Sequence, residues 1–225
     1  VEQDQVTREV DVTREVVVEV TSTPPSIESN VTQDQPSVSP TPSFTPQPPN
    51  ELFADDFQTG ISPEWRMDGN NIAVVNGELV SEGWFTAYVG DKDWTNYAIE
   101  FDLSLHWSRY EDGGFRVLVR LQDERSYMGW QFNTINYCGF RWVEVENGES
   151  TIVTGSKTEM EDAEGCAAHF RIEVFEDTFR TIRNGEEQQV LTYPGFSSGS
   201  VGLVSNNEDT TFKLDNFRVL SLPQQ

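Results

Sequence analysis

Paired carboxylates are the first residues in this sequence that could do chemistry. Glu100 and Asp102 lie two residues apart in an alternating apolar and polar run, so both side chains should project from one face of a strand. Two carboxylates held about 5 Å apart can act as nucleophile and acid/base in glycoside hydrolysis. The expected neighbours Arg116 and Arg120 would keep both groups ionised, which suits a general acid poorly. We therefore keep the pair only as a catalytic candidate, with a solvated strand face as the alternative.

The remaining titratable residues do not complete another catalytic set. Glu144 and Glu146 form a second pair on a later run, and they are catalytic candidates to the same extent as Glu100 and Asp102. His106 and His169 are the two histidines of the chain, and no Ser-His-Asp or metal-binding triad can be assembled around them. No glycine-rich phosphate loop follows a strand and begins a helix. The sequence therefore predicts neither nucleotide-dependent nor metal-dependent catalysis.

A set of polar and aromatic side chains could instead bind a sugar. The set consists of Trp107, Arg116, Arg120, Tyr127, Gln131 and Arg141. A sugar ring stacks its apolar face on an aromatic ring, and its hydroxyls pair with planar donors and acceptors. Trp130 or Trp142 could join the set, but Trp130 alternates in phase with Met128 and Phe132 and is expected in the core. Trp107 precedes a polar segment and is expected to be exposed, while Arg120 could equally be an ordinary surface charge.

Short alternating runs must position these side chains. They are Ile99–Leu105, Phe115–Leu121, Glu78–Val80, Phe85–Val89, Tyr127–Asn133, Phe140–Glu146, Thr151–Thr154, His169–Glu176, Phe179–Arg183, Gly199–Val204 and Thr211–Ser221. Asn76-Gly77, Asn147-Gly148 and Asn184-Gly185 separate some of them, and Asn-Gly is a strong signal for a tight hairpin. No long window has helical periodicity. The pattern predicts an all-β, antiparallel two-sheet sandwich or barrel.

The folded domain is expected to span residues 51–222, with a short tail at 223–225. Residues 1–50 contain no Trp, no Tyr and one Phe, so they have little apolar surface to bury. They begin with a repeated VTREV segment and continue into a tract rich in Pro, Ser and Thr, which predicts a disordered, extended stalk. This stalk resembles the region that follows the anchored N-terminus in many bacterial surface proteins.

The net charge limits the classes of binding partner, and the cysteines indicate the cellular compartment. A net charge of -23 argues against nucleic acid, anionic membranes and anionic polymers as partners. Cys138 and Cys166 are predicted to form a disulfide, with two buried thiols or coincidence as alternatives, and a disulfide would indicate an oxidising compartment. No stretch is apolar enough to span a membrane. The first residue is Val, so we expect a mature fragment whose anchor lies in a missing N-terminal segment.

The order of motifs along the domain resembles the concanavalin A-like lectin/glucanase superfamily. The motifs are FADDF at Phe53–Phe57, Trp65, NGEL at Asn76–Leu79, WTNY at Trp94–Tyr97, EFD at Glu100–Asp102, LVR at Leu118–Arg120 and LDNFRV at Leu214–Val219. The pattern is closest to LamG-like jelly-roll domains, including the 3-keto-disaccharide hydrolase group. The resemblance implies two stacked antiparallel sheets with a concave face that binds or cleaves glycans. The Glu-x-Asp-x-x-Glu run of the β-glucan-cleaving members is absent.

The resemblance also implies a structural calcium ion. Related families often bind calcium through acidic residues at the start of the domain and an Asp in the last strand. Asp55 or Asp56 matches the first position and Asp215 matches the second, with backbone carbonyls expected to complete the shell. The alternative is that these carboxylates cap backbone amides in turns.

Together these features predict an extracellular or cell-envelope domain that binds a neutral glycan or cell-surface polysaccharide without cleaving it. We expect a monomer. A glycoside hydrolase or 3-keto-disaccharide hydrolase that uses groove carboxylates is the first alternative. A structural or protein-interaction ectodomain, such as the outer part of a sensor, is the second.

Overall fold

The computed structural model describes residues 50–69, 72–106, 114–133, 139–154, 166–205 and 211–223. Fifteen strands occur in these ranges: β1 (Glu51–Asp55), β2 (Arg66–Gly69), β3 (Ile72–Val75), β4 (Glu78–Glu82), β5 (Phe85–Val89), β6 (Tyr97–His106), β7 (Phe115–Asp123), β8 (Ser126–Asn133), β9 (Gly139–Glu146), β10 (Glu149–Thr154), β11 (Ala168–Phe175), β12 (Thr178–Arg183), β13 (Glu186–Thr192), β14 (Ser200–Ser205) and β15 (Thr211–Ser221). The described part of the chain contains no helix long and apolar enough to cross a membrane.

The strands form two antiparallel sheets, which confirms the predicted all-β sandwich. Sheet A has the order β13-β12-β11-β6-β15-β4-β3, and β1 also pairs with β15. Sheet B has the order β10-β9-β8-β7-β14-β5-β2. Strands that are far apart in sequence therefore lie side by side, as β6 and β15 do at the centre of sheet A.

The inner faces of the two sheets meet in an aromatic core. Phe101 and Phe170 of sheet A lie 6.1 and 5.0 Å from the Trp130 ring of sheet B, measured between ring centroids. Trp130 and Trp142 are fully buried, so the prediction that Trp130 belongs to the core is confirmed. Burial of such large rings is the main source of stability in a two-layer fold.

Tight turns connect neighbouring strands at the three predicted Asn-Gly sites. Asn76, Asn147 and Asn184 have φ values of 56, 53 and 49°, and the glycines that follow them have φ values of 82, 89 and 83°. Two successive positive φ angles are the requirement of the hairpin turn that Asn-Gly favours. The three predicted Asn-Gly turns are therefore confirmed, and they join β3 to β4, β9 to β10 and β12 to β13.

A bulge in β7 reverses the direction of the side chains that follow it. Arg120 has a φ of 54°, and the pairing register with both neighbouring strands shifts around this residue. The Arg120 side chain is consequently buried, whereas Leu121 packs with Leu118 on the outer face of sheet B. The simple alternation expected for Phe115–Leu121 thus ends at the bulge.

Candidate functional site

A groove with a volume of about 770 Å³ lies on the outer face of sheet B. We call it the Trp84 groove. Its lining comes from β2, from β5 with the residue before it, and from the hairpin between β7 and β8: Arg66, Met67, Asp68, Trp84, Thr86, Tyr88 and Leu121–Ser126, with Lys92, Asn147 and Ser200.

The groove adjoins an apolar cluster on the outer face of sheet B, and Leu121 and Tyr88 belong to both. Leu118, Leu121 and Val204 are buried in this cluster, and the half-buried Tyr88 ring packs against it. Gly202, on the neighbouring strand β14, makes room for that ring. A Cβ atom at Gly202 would lie 2.9 Å from Tyr88 Cδ1 and 3.2 Å from Leu118 Cδ1. The ring therefore lies directly over the glycine backbone.

Trp84 supplies an exposed aromatic wall. Its side chain is 42% exposed, although the next residue, Phe85, is fully buried. Gly69 at the end of β2 touches this part of the chain, because a Cβ atom there would lie 2.7 Å from Phe85 Cα and 2.8 Å from the Trp84 carbonyl oxygen. The close approach of the two strands fixes the backbone that carries Trp84.

The upper rim of the groove carries charges of both signs. Arg66, Lys92 and Arg125 line the groove together with Asp68, Asp123 and Glu124. Arg125 is held in place, because its Nη2 donates a 2.6 Å hydrogen bond to the Asn147 carbonyl oxygen. That bond joins the β7–β8 hairpin to the β9–β10 turn.

Burial and nearby acidic residues raise the pKa of the Tyr88 hydroxyl. Burial raises the pKa of Tyr88, a hydrogen bond with Thr86 partly offsets the rise, and the charge of Glu124 and, more weakly, that of Asp68 increase it. The phenol therefore stays protonated and can donate a hydrogen bond into the groove.

Four predicted sugar-binding residues lie together on the same outer face of sheet B. Arg116, Gln131 and Arg141 are cross-strand neighbours on β7, β8 and β9. Arg141 Nε and Nη2 each lie 3.4 Å from Gln131 Oε1, and Arg116 Nη1 lies 3.4 Å from the Tyr127 hydroxyl. Tyr127 belongs to the apolar cluster under Tyr88, so this set adjoins the Trp84 groove.

The fifth described member, Arg120, is in a different place. Its guanidinium donates hydrogen bonds to the carbonyl oxygens of Ser197 and Glu176, and its backbone N–H donates to the Tyr97 hydroxyl at 2.8 Å. Burial lowers the pKa of the Arg120 guanidinium. The residue fastens loops at one end of the sandwich and does not face the groove. Trp107 lies outside the described residues.

Glu100 and Asp102 lie on the outer face of sheet A, where their neighbours differ from those expected. Strand β6 pairs with β11 and β15, whereas Arg116 and Arg120 belong to sheet B. Glu100 is bound by Arg171, and by Arg218 at 3.2 Å. The expectation that Arg116 and Arg120 flank this pair is wrong, because sequence alternation assigns a face but not a neighbouring strand.

Asp102 is held by other partners on the same face. It lies 2.8 Å from His169 Nδ1 and accepts a 2.8 Å hydrogen bond from Asn216 Nδ2. The later candidate Glu144 is also engaged, since it accepts a 2.8 Å hydrogen bond from the Tyr193 hydroxyl. These carboxylates form structural contacts in the described part of the chain.

Asp55, one of the three predicted calcium ligands, organises the loop that follows β1. Its carboxylate accepts hydrogen bonds from Phe57 N at 3.0 Å, from Ser62 N at 2.8 Å and from Trp65 Nε1 at 3.0 Å. The side chain is buried. Asp55 thus has the amide-capping role that the sequence left open as the alternative to calcium.

Asp56 and Asp215, the other two predicted ligands, lie within electrostatic reach of each other. Partial burial raises the pKa of the Asp215 carboxyl, and the charges of Asp102, Glu78 and Asp56 add to the rise. Asp56 Oδ1 accepts one hydrogen bond, from Gln58 N at 3.1 Å. The described residues contain no group of three His, Cys, Asp or Glu side chains arranged to hold a metal. The calcium site stays a prediction.

The structure describes one of the two cysteines of the predicted disulfide. Cys166 is buried against the core, while Cys138 lies outside the described residues. The pairing therefore stays a prediction.

Sequence reasoning missed the most exposed aromatic side chain of the groove. Trp84, Thr86 and Tyr88 alternate with the core residues Phe85 and Ala87, so period-two alternation places these three on the outer face. The sequence signal was that Trp84 and Tyr88, both aromatic, fall at the alternate positions of the run that face solvent.

Comparison with known proteins shows similarity in fold without similarity in sequence. No family model matches the sequence, and no curated protein matches it. Among solved structures, the chain resembles a carbohydrate-binding module, CBM66 from Bacillus subtilis, with a TM-score of 0.57 and 16% identity over 70% of this chain and 96% of that chain. It resembles the exoplasmic/lumenal domain of VIP36, in a form bound to Ca²⁺ and Man3GlcNAc, with a TM-score of 0.59 and 6% identity over 80% of this chain and 92% of that chain.

A third solved structure is longer than the present chain. The GH43 protein BlXynB from Bacillus licheniformis matches with a TM-score of 0.58 and 12% identity, over 75% of this chain and 39% of that chain. The narrower LamG-like and 3-keto-disaccharide hydrolase grouping stays a prediction. At these identities the similarity establishes architecture alone, and the chain shares its two-sheet sandwich fold with CBM66 and with the VIP36 exoplasmic/lumenal domain.

Proposed function

We propose that this domain binds a glycan in the Trp84 groove and does not hydrolyse it. The observation that carries the proposal is the 42% exposed Trp84 ring beside a groove of about 770 Å³ whose lining includes Tyr88. A large aromatic ring that is exposed at the edge of a concave site is free to stack on a ligand. The groove volume lies within the range of about 300 to 1,000 Å³ that is usual for small-ligand sites.

The groove chemistry fits a sugar chain. The Trp84 face can stack on the apolar face of a pyranose ring, and the Tyr88 ring extends that apolar surface. Asp68, Glu124 and Arg66 provide planar acceptors and donors for sugar hydroxyls. The adjoining Arg116, Tyr127, Gln131 and Arg141 set offers further polar contacts to a longer chain.

The proposed ligand carries no acidic groups. The protein has a net charge of -23, so a polyanion would approach against strong long-range repulsion. Hydrolysis is not part of the proposal, because Glu100 and Asp102 are bound by Arg171, Arg218, His169 and Asn216 rather than facing an open cleft.

The solved structures of similar fold support this proposal by analogy. One is named as a carbohydrate-binding module and another was solved with a mannose-containing glycan. Fold similarity alone does not transfer a ligand. We propose by the same analogy that the domain acts outside the cytoplasm, at or beyond the cell envelope. We propose separately that it is a monomer.

A glycan array followed by calorimetric titration tests the proposal. We expect the Trp84→Ala variant to lose about 1 to 3 kcal/mol of binding free energy, the range typical of a stacked aromatic in a binding site. Ile152→Ala is the matched control, because Ile152 is 56% exposed on β10 and does not line the groove. Loss of binding in the control alone, or no change in the Trp84 variant, would contradict the proposal.

The same experiments separate the two alternatives. A hydrolase would release reducing sugar from a chromogenic glycoside panel, and Glu100→Gln would abolish that activity if Glu100 were catalytic. A structural or protein-interaction ectodomain would bind no glycan on the array. Either outcome would replace the proposal.

We retain calcium as a proposed structural ligand of the loop after β1. Its side-chain ligands would be Asp56 and Asp215, because the Asp55 carboxylate already accepts three N–H groups. Backbone carbonyls would have to supply most of the six to eight oxygens that calcium requires.

A further inference from the structure

The bulge in β7 directly precedes the part of that strand that lines the Trp84 groove. Arg120 forms the bulge with its φ of 54°, and Leu121–Ser126 belong to the groove lining. Because Phe115 points into the core, strict alternation along β7 would point Leu121 into the core as well. The extra residue of the bulge turns Leu121 to the outer face of sheet B, where it lines the groove. The shape of the groove therefore depends on the backbone at one position.

Arg120 holds this backbone conformation through its own contacts. A positive φ is unfavourable for a residue with a large side chain, so it persists where surrounding contacts impose it. The Arg120 N–H donates a 2.8 Å hydrogen bond to the hydroxyl of the fully buried Tyr97. The Arg120 guanidinium donates to the carbonyl oxygens of Ser197 and Glu176, and its carbon atom lies 5.9 Å from the centroid of the Tyr97 ring. These contacts fasten the bulge to the core.

The loop that binds the guanidinium also holds the first residues of the groove lining. Gln122 Nε2 donates a hydrogen bond to the Ser198 carbonyl oxygen. A Cβ atom at Gly199 would lie 2.7 Å from Arg120 Cα and 2.6 Å from Leu121 N, so the backbone of this loop lies directly against the bulge. A shift of the loop would therefore also move Leu121 and Gln122.

We infer that Arg120 is a positioning residue of the Trp84 groove, because its buried side chain holds the bulge that brings Leu121 and the β7–β8 turn to the groove lining. Arg120 itself does not line the groove, so it acts on a ligand through these residues. This inference rests on the proposed function, since it assigns the residue that shapes the same groove.

The test removes the side chain and keeps the backbone conformation. Arg120→Gly does this, because glycine adopts a positive φ without steric cost. Amide hydrogen exchange of the free protein, measured by mass spectrometry, should become faster at residues 121–126 than the general loss of stability accounts for, with the strands of sheet A as the internal reference.

Calorimetric titration measures the effect on binding. The probe is the neutral oligosaccharide that gives the strongest Trp84-dependent signal on the glycan array. We expect Arg120→Gly to weaken its binding about 10-fold, the lower end of what removal of an outer-shell partner of a binding group typically costs. Arg120→Lys keeps a cation but not the planar fork of donors, and it should weaken binding by a smaller factor.

Asp55→Ala is the matched control for a purely structural role. Asp55 is a buried side chain that binds three N–H groups, and it does not line the Trp84 groove. Its removal should lower the melting temperature while leaving the affinity for the same oligosaccharide and the relative exchange rate at residues 121–126 unchanged.

The outcomes separate the inference from the proposed function. Wild-type affinity in a folded Arg120→Gly variant would overturn the inference and leave glycan binding in place. An equal loss of affinity in Asp55→Ala would also overturn it, because stability alone would then explain the effect. If the glycine variant does not fold, Arg120→Lys decides, and a lower melting temperature with wild-type affinity would overturn the inference. Absence of Trp84-dependent binding to every glycan on the array would overturn the proposed function and the inference together.

Discussion

Replacement of Asp55 by alanine should be among the most destabilising single changes outside the core. One buried carboxylate accepts hydrogen bonds from Phe57 N, Ser62 N and Trp65 Nε1, at 3.0, 2.8 and 3.0 Å. A hydrogen bond to a charged group contributes about 1.5 to 3 kcal/mol. Because the half-buried Ser62 can regain water, we expect a loss of about 3 to 5 kcal/mol rather than the full sum.

Urea denaturation followed by tryptophan fluorescence measures this loss. The Trp65 indole is one of the donors, so its emission reports on the altered loop as well as on unfolding. Asp55→Asn keeps one carbonyl oxygen, so its free energy of unfolding should fall by about half as much as that of Asp55→Ala. This second variant keeps the test interpretable if the alanine variant does not fold. Asp56→Ala is the control, since Asp56 is exposed and accepts a single N–H, and it should change stability by about 0.5 kcal/mol or less.

Calcium must be excluded as the cause by repeating the measurement in chelator. If hydrogen bonding explains the loss, Asp55→Ala is destabilised equally with and without chelator. The reasoning is refuted if Asp55→Ala differs from Asp56→Ala by less than about 1 kcal/mol. It is also refuted if chelation destabilises the wild-type protein to the level of the alanine variant, because the carboxylate would then act through a metal.

Three other expectations follow from contacts described above. Gly202→Ala should displace the Tyr88 ring, so glycan affinity should fall about 10-fold in titration, and an unchanged affinity would contradict the role of the ring in the groove. Because the added Cβ would also lie 3.0 Å from the Ala87 carbonyl oxygen, thermal stability should fall as well. If Asp56 and Asp215 bind calcium, added Ca²⁺ should raise the melting temperature of the wild-type protein but not of Asp215→Asn. Burial raises the pKa of Tyr97 to about 12, above its unfolded value of about 10, so the unfolded state loses this proton first as the pH rises. The free energy of unfolding should therefore fall by about 1.4 kcal/mol per pH unit between about pH 10 and pH 12. Tyr97→Phe should weaken this pH dependence of stability, as measured by urea denaturation.

Local features of the fold could be predicted because they depend on neighbouring residues. The Asn-Gly turns at 76, 147 and 184 form hairpins because two adjacent residues alone determine the positive φ angles. The alternation of Ile99, Phe101 and Leu103 identified the inner face of β6 for the same reason. Strands β1, β2, β3 and β13 were missed, since short or polar edge strands such as EEQQVLT carry little alternating signal.

Side-chain neighbourhoods could not be predicted because they depend on strand order and on single backbone angles. Glu100 was assigned the correct strand face, but its partners Arg171 and Arg218 come from β11 and β15, which are distant in sequence. Arg120 was expected to be outward, but its φ of 54° breaks the alternation and turns it inward. A positive φ at an arginine inside a strand leaves no signature in composition or periodicity.

The two ends of the described domain meet through a pair of hydrogen bonds. Ser221 N donates to the Asn50 carbonyl oxygen at 2.8 Å, and Asn50 N donates to Ser221 Oγ at 3.2 Å. Domains whose ends adjoin tolerate circular permutation and insertion into other chains. A circular permutant that joins residue 222 to residue 50 and begins at the exposed Asn184–Gly185 turn would leave every strand that lines the Trp84 groove uninterrupted. For the same reason, the domain could be inserted through its two adjoining ends into a loop of an unrelated protein with the groove intact.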